Sequence, residues 1–142
     1  MLKNEDFKVD FIGIGAARRG TTWIYECLKE HPQICVSKIK EVRFFSDQRT
    51  YRKGMKYYQS FFNHCSGNKI KGEISPAYLW GKNGENVASL IKKHFPGVKI
   101  FAVLRDPAER AYSHYHYDMY IEQGLYYTKL KNILIYFPKV KS

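Results

Sequence analysis

The apolar positions of the chain follow two rhythms. Short, mainly apolar runs read as strands, Val9 to Ile14, Ile34-Cys35-Val36 and Val98 to Leu104, the last being the cleanest, and Lys69 to Ile74 is a further strand candidate. Between them the spacing lengthens to three and four. Ile24, Cys27, Leu28 and His31 predict a helix over 21–30, stopped by Pro32. Met55, Tyr58 and Phe62 predict a second helix over 51–62. Val87, Leu90, Ile91 and Phe95 predict a third over 85–95, ended by Pro96-Gly97. Residues 38–47 read as a loop, although Val42, Phe44 and Phe45 lie within it.

After the last strand, Arg105-Asp106-Pro107 opens a helix predicted to reach about Gln123. Asp106 serves as the cap, Pro107 as the first helical residue and Glu109 as the capping-box partner, with Gly124 as the stop. Strands that alternate with helices predict an α/β domain, P-loop-like and three-layered, with a short, mostly parallel sheet. Leu125 to Ser142 is basic and aromatic and fits this plan poorly. The expected division is therefore a domain over 1–124 and a basic tail over 125–142 that a truncated or non-native ending would explain.

A length of 142 residues suits one domain, and the 44% hydrophobic share supplies a core. The net charge of +11 changes the picture, because it calls for an acidic partner. Cys27, Cys35 and Cys65 are odd in number and stand at no metal-binding spacing, so free thiols and a reducing compartment are expected. No apolar run of membrane-spanning length and no secretory leader stand out, so the expected location is cytoplasmic.

The sharpest chemical signal is the strand–glycine loop–helix unit, with Gly15-x-x-x-x-Gly20-Thr21-Thr22 at its centre. Glycines let backbone wrap an anion, and the following helix start turns N–H groups and a positive dipole end toward it. A triphosphate-binding P-loop carries lysine where this chain has Thr21, so the cradle is kept without the group that reads a γ-phosphate. Arg18 and Arg19 add guanidinium groups suited to a leaving phosphate. At the end of the last strand Arg105 stands where parallel sheets bind ligands, and Ser113 follows eight residues on. Lys40-Glu41-Val42-Arg43-Phe44-Phe45 places a carboxylate between two cations beside an aromatic pair. Such a Glu serves either as a general base or as a salt-bridge partner.

Together these segments resemble the sulfotransferase superfamily over about residues 9–124, in particular the bacterial and heparan-sulfate-type branch that uses 3′-phosphoadenosine 5′-phosphosulfate (PAPS). The resemblance implies sulfuryl transfer from PAPS to a hydroxyl or amine, with a small molecule or carbohydrate as acceptor and no metal or nucleic acid. It implies donor contacts at Arg18, Arg19, Gly20, Thr21, Thr22 and Trp23, a 3′-phosphate site at Arg105 and Ser113, and catalytic roles for Glu41 and Arg18. Gly72-Glu73-Ile74-Ser75-Pro76-Ala77-Tyr78 resembles a further motif near the acceptor cleft. The chain departs from the family pattern in two places. Arg18 replaces a frequent lysine, which keeps the charge but cannot move a proton. Ile74 replaces the lysine of heparan-type members, which weakens the case for a glycosaminoglycan acceptor. The family's chains also continue well beyond this length, so a fragment lacking activity is a further expectation. Two other classes compete: a P-loop nucleotide kinase or other phosphotransferase, and a non-catalytic basic protein that binds nucleotides or nucleic acid.

Overall fold

The computed structural model describes residues 7–15, 20–80 and 84–103. In chain order these form β1 (Phe11–Gly13), α1 (Thr21–Glu30), β2 (Ile34–Val36), α2 (Gln48–Tyr51), α3 (Met55–Ser60), β3 (Ile70–Ile74), α4 (Ala77–Trp80), α5 (Gly84–His94) and β4 (Lys99–Phe101). The strands make one parallel sheet in the order β2-β3-β1-β4. The register sets Ile12 beside Glu73 and Ile100, and Gly13 beside Ile74 and Phe101.

Alternation along the strands sorts their side chains into two layers. Phe11, Ile74, Phe101 and Val36 face one side, where Tyr25, Ile24 and Leu28 of α1 cover them. Ile12, Ile14 and Ile100 face the other side, where Tyr58 of α3, Tyr78 and Leu79 of α4, and Val87 and Ile91 of α5 close the larger core. The result is a three-layer α/β domain. The larger core is rich in rings. Phe44 and Tyr58 lie 4.9 Å apart and Phe45 and Tyr58 5.4 Å apart, and each fully buried ring or aliphatic chain of this kind stabilises by about 1.5–3 kcal/mol. Gly72 is required where β3 crosses Phe11, because a Cβ there would collide with the Phe11 ring.

The structure departs from the expected elements in four places. The helix expected over 51–62 is two helices, α2 and α3, separated around Gly54 (φ 84°). Asp47 caps α2 by accepting the Arg49 amide at 2.9 Å. The one-turn helix α4 follows Pro76 within the stretch quoted as a motif. β4 ends at Phe101, although Val103 still donates its amide to the Gly15 carbonyl at 2.8 Å. Finally, Cys35 and Cys65 are joined in a disulfide, and Cys27 is free and exposed. This corrects the expectation of unpaired thiols, since β2 and the turn after α3 bring together two residues 30 apart in sequence. The helix expected after Arg105 and the segment 125–142 lie outside the described residues.

Candidate functional site

In an open parallel sheet, ligands bind beyond the carboxyl ends of the strands, at the point where the chain's crossovers diverge. Here β1 is central, with β3 on one side and β4 on the other. Short backbone bonds tie the segments that leave these strands. Ser75 donates to the Gly13 carbonyl at 2.8 Å, Leu79 to Ile14 at 3.1 Å, Ile14 to Phe101 at 3.0 Å and Glu41 to Ile74 at 2.9 Å. The residues that leave β1, the Glu41 loop and the residues that leave β4 therefore gather at one end of the sheet.

The loop after β1 closes at Gly20, whose left-handed backbone (φ 74°, ψ 15°) caps α1. Among the described residues, a Cβ at Gly20 would meet no atom within 4 Å, so this position needs glycine for its conformation. The first N–H groups of a helix have no intrahelical acceptor. Among the described residues, α1 has no side-chain cap bond, and its first turn carries no acidic residue. Thr21 is buried, Thr22 is exposed, and Trp23 is 71% exposed, an unusual position for so large an apolar ring. Arg18, Arg19, Arg105 and Ser113 lie outside the described residues.

Glu41 is held in an uncommon conformation. Both Glu41 (φ 61°) and Arg43 (φ 57°) are left-handed, each at a cost of roughly 1–2 kcal/mol for a residue with a side chain. Three anchors hold them there. The Glu41 amide donates to Ile74, the Arg43 amide to Ser75 Oγ at 3.2 Å, and the Phe45 amide to the Tyr78 hydroxyl at 3.5 Å. Val42, Phe44 and Phe45 are buried between these points, which turns the chain so that Glu41 and Arg43 face outward. The Glu41 carboxylate is one-third exposed; Arg43 Nη2 donates to it at 2.6 Å and Lys40 Nζ at 3.3 Å. Partial burial pushes its pKa up, but the Arg43 and Lys40 contacts outweigh this and hold it below the usual carboxylate value. Glu41 is therefore a salt-bridged carboxylate that is ionised and partly accessible.

A second carboxylate lies directly beneath. Glu73 on β3 is fully buried. Its Oε1 accepts the hydroxyls of Tyr58 at 2.7 Å and Tyr78 at 2.8 Å, and its Oε2 accepts Ser75 at 3.0 Å. Burial raises its pKa to about 7 against the three hydroxyl bonds that lower it. Sequence reasoning placed Glu73 in a motif but gave it no role. The available signal was a charged residue between Gly72 and Ile74, in the buried half of β3. Among the described residues, only Cys35, His64 and Cys65 group closely enough for a metal ion, and their two sulfurs are already bonded to each other.

Comparison with known proteins places this geometry. The profile of the sulfotransferase domain family matches residues 8–137. A membrane-associated sulfotransferase of Dictyostelium discoideum is 33% identical over 113 residues, covering 78% of this chain and 23% of that protein. Heparan sulfate glucosamine 3-O-sulfotransferase 5 of Mus musculus is 32% identical over 102 residues, covering 72% of this chain and 28% of that one. The chain thus spans about a quarter of the length of these relatives. In fold it is similar to the crystal structure of a sulfotransferase from Alicyclobacillus acidocaldarius (TM-score 0.77, 23% identity, covering 94% of this chain and 70% of the other).

Proposed function

We propose, from the premise that the chain belongs to the sulfotransferase family, that it carries the donor cradle and the base of an enzyme that sulfates a hydroxyl or amine, with PAPS as donor and a carbohydrate among the acceptor classes. The observation that carries this reading is the bond from the Glu41 amide to Ile74, which sets a carboxylate at the sheet end where the Gly15–Gly20 loop begins. The described part of the loop fits a phosphate group: a helix start with no side-chain cap among the described residues, and a left-handed Gly20.

Bound PAPS would supply the sulfuryl group and leave as adenosine 3′,5′-bisphosphate. The chain's own residues supply the rest. Glu41, ionised because of Arg43 and Lys40, accepts the acceptor's proton as its oxygen or nitrogen bonds to sulfur. The sulfur–oxygen bond to phosphate breaks, and its electron pair stays on the phosphate oxygen. The N–H groups at the start of α1, with Thr21, Thr22 and the guanidinium groups of Arg18 and Arg19, offset that charge. Trp23 offers an exposed ring for the donor's base. Arg105 and Ser113 complete the reading by holding the 3′-phosphate, which separates this donor from other adenine nucleotides. The heparan-type relatives make an amino sugar the acceptor to try first.

The test is Glu41→Gln, assayed with PAPS and a desulfated glucosamine oligosaccharide. The expected loss in kcat is about 10²–10⁴-fold, with the Kd for adenosine 3′,5′-bisphosphate changed by less than about twofold. Activity that survives the substitution would remove Glu41 as the base. Equal loss of turnover and binding would show a role in the cradle instead.

A further inference from the structure

We propose that Glu73 is a positioning residue for the Glu41 loop: by accepting the hydroxyl protons of Ser75 and Tyr78, it turns the lone pairs of both toward the loop's amides. The proposal rests on the reading of Glu41 as the base.

The observation is a pair of relays that share one carboxylate. Ser75 Oγ donates to Glu73 Oε2 at 3.0 Å and accepts the Arg43 amide at 3.2 Å. The Tyr78 hydroxyl donates to Glu73 Oε1 at 2.8 Å and accepts the Phe45 amide at 3.5 Å. A hydroxyl has a single proton. If that proton went anywhere other than Glu73, the hydroxyl could be left facing an amide donor with its own hydrogen. Above the pH of about 7 at which it ionises, the carboxylate accepts only, so it then fixes both hydroxyls in the orientation the loop requires. Among the described residues no cation pairs with Glu73. A buried carboxylate without one is costly to keep, and Tyr58, Tyr78 and Ser75 take the place of a counter-ion. The relays end on Arg43, itself left-handed, and on Phe45 two residues beyond it, where the backbone most needs to be held. Ser75 also donates its amide to Gly13, so the same residue is pinned to the end of β1.

Tyr58 provides the control. Its hydroxyl meets the same Oε1 at 2.7 Å from α3 but contacts no amide of the loop. If Glu73 positions the loop, removing the relays and removing Tyr58's hydroxyl have different consequences. If Glu73 is only a structural charge, Ser75 and Tyr78 still accept the two amides directly, so Glu73→Gln is the variant that separates the two roles.

The experiment measures amide hydrogen exchange by NMR, together with kcat and the Kd for adenosine 3′,5′-bisphosphate, in Ser75→Ala, Tyr78→Phe, Tyr58→Phe and Glu73→Gln. Exchange at Arg43 should quicken about tenfold in Ser75→Ala, and exchange at Phe45 likewise in Tyr78→Phe. Tyr58→Phe should leave both within about twofold of the parent protein. Glu73→Gln, whose amide must donate to one hydroxyl, should quicken at least one of the two and lower kcat with Kd unchanged. No acceleration at either amide in Glu73→Gln, or equal acceleration in Tyr58→Phe, would overturn the proposal; if Glu73→Gln does not fold, the parent protein decides, since protection of both amides should fall as pH is lowered through about 7, and unchanged protection there would overturn it. Faster exchange with unchanged kcat would support the positioning role and instead remove Glu41 as the base.

Discussion

Two carboxylates lie at the same end of the sheet, and their surroundings drive them in opposite directions. Glu41 sits on a loop at the surface, touched by Arg43 and Lys40, and is held ionised below its ordinary range. Glu73 is buried, its carboxylate's hydrogen-bond partners among the described residues are all hydroxyls, and burial raises it to about 7. The difference teaches how the site divides its work. The carboxylate proposed as the base is kept charged by two partly exposed cations, Arg43 and Lys40. The carboxylate that must never move is held by neutral donors that fix direction without needing solvent. A cation beside Glu73 would remove its strain but would also take up the lone pairs that orient Ser75 and Tyr78.

The largest expected effect loosens both carboxylates at once. The Cys35–Cys65 disulfide fastens β2, which leads into the Glu41 loop, to the turn after α3, which carries Tyr58. It closes a loop of 30 residues, and for that length the chain-entropy account gives about 3–4 kcal/mol. Denaturant titration of Cys35→Ser/Cys65→Ser should show a loss of that order. Alkylation of the unfolded protein should modify one cysteine before reduction and three after it.

The next effect separates the carboxylates by the sign of their pH dependence. Glu73 titrates near 4.5 when unfolded and near 7 when folded. Between those values the folded state holds the extra proton, so Glu73's contribution to stability falls as pH rises through the window and is constant above it. Glu41 is lowered, so the stability it adds is present above about 4.5 and is lost as pH falls through its folded value. Unfolding free energies followed from pH 3 to 8 should therefore lose their decline between about 4.5 and 7 in Glu73→Gln, a change on the order of a few kcal/mol across that window. The same series in Glu41→Gln should change only at the acid end. A common pH dependence for the two variants would break the comparison.

The smallest effect sharpens Glu41 alone. Arg43→Ala removes the 2.6 Å bond. Because this pair is largely exposed, stability should change by less than about 1 kcal/mol. The acid limb of the kcat profile should nonetheless move to higher pH, since the partner that lowers the Glu41 pKa is gone.

Much of the fold was legible because local pattern and tertiary packing agree. The helix over 21–30 and the strand at Ile34–Val36 fall where their spacing puts them, and the glycine loop led directly to the start of α1. The rest depended on contacts the sequence does not display. Gly54 splits a helix whose apolar stripe continues across the break, since Met55, Tyr58 and Phe62 pack into the same core as Tyr51. The pairing of Cys35 with Cys65 needs β2 and the turn after α3 to be adjacent, which only the sheet order decides. Glu41 could be recognised from the charges beside it in sequence. Glu73 could not, because its partners at Tyr58, Ser75 and Tyr78 come from three different segments, and its importance lies in which way their protons point. α4 escaped notice because a single turn after a proline leaves too little periodicity to detect.

The central claim is that the end of the sheet, at the start of α1, is a bisphosphate donor cradle rather than a triphosphate site. The most direct measurement is unfolding of the full chain with adenosine 3′,5′-bisphosphate, set against ATP with Mg²⁺. At a concentration of ~100 times its Kd the bisphosphate should stabilise the chain by about 2.7 kcal/mol, and ATP with Mg²⁺ at the same concentration by clearly less. No shift with the bisphosphate, or a larger one with ATP and Mg²⁺, would contradict the account.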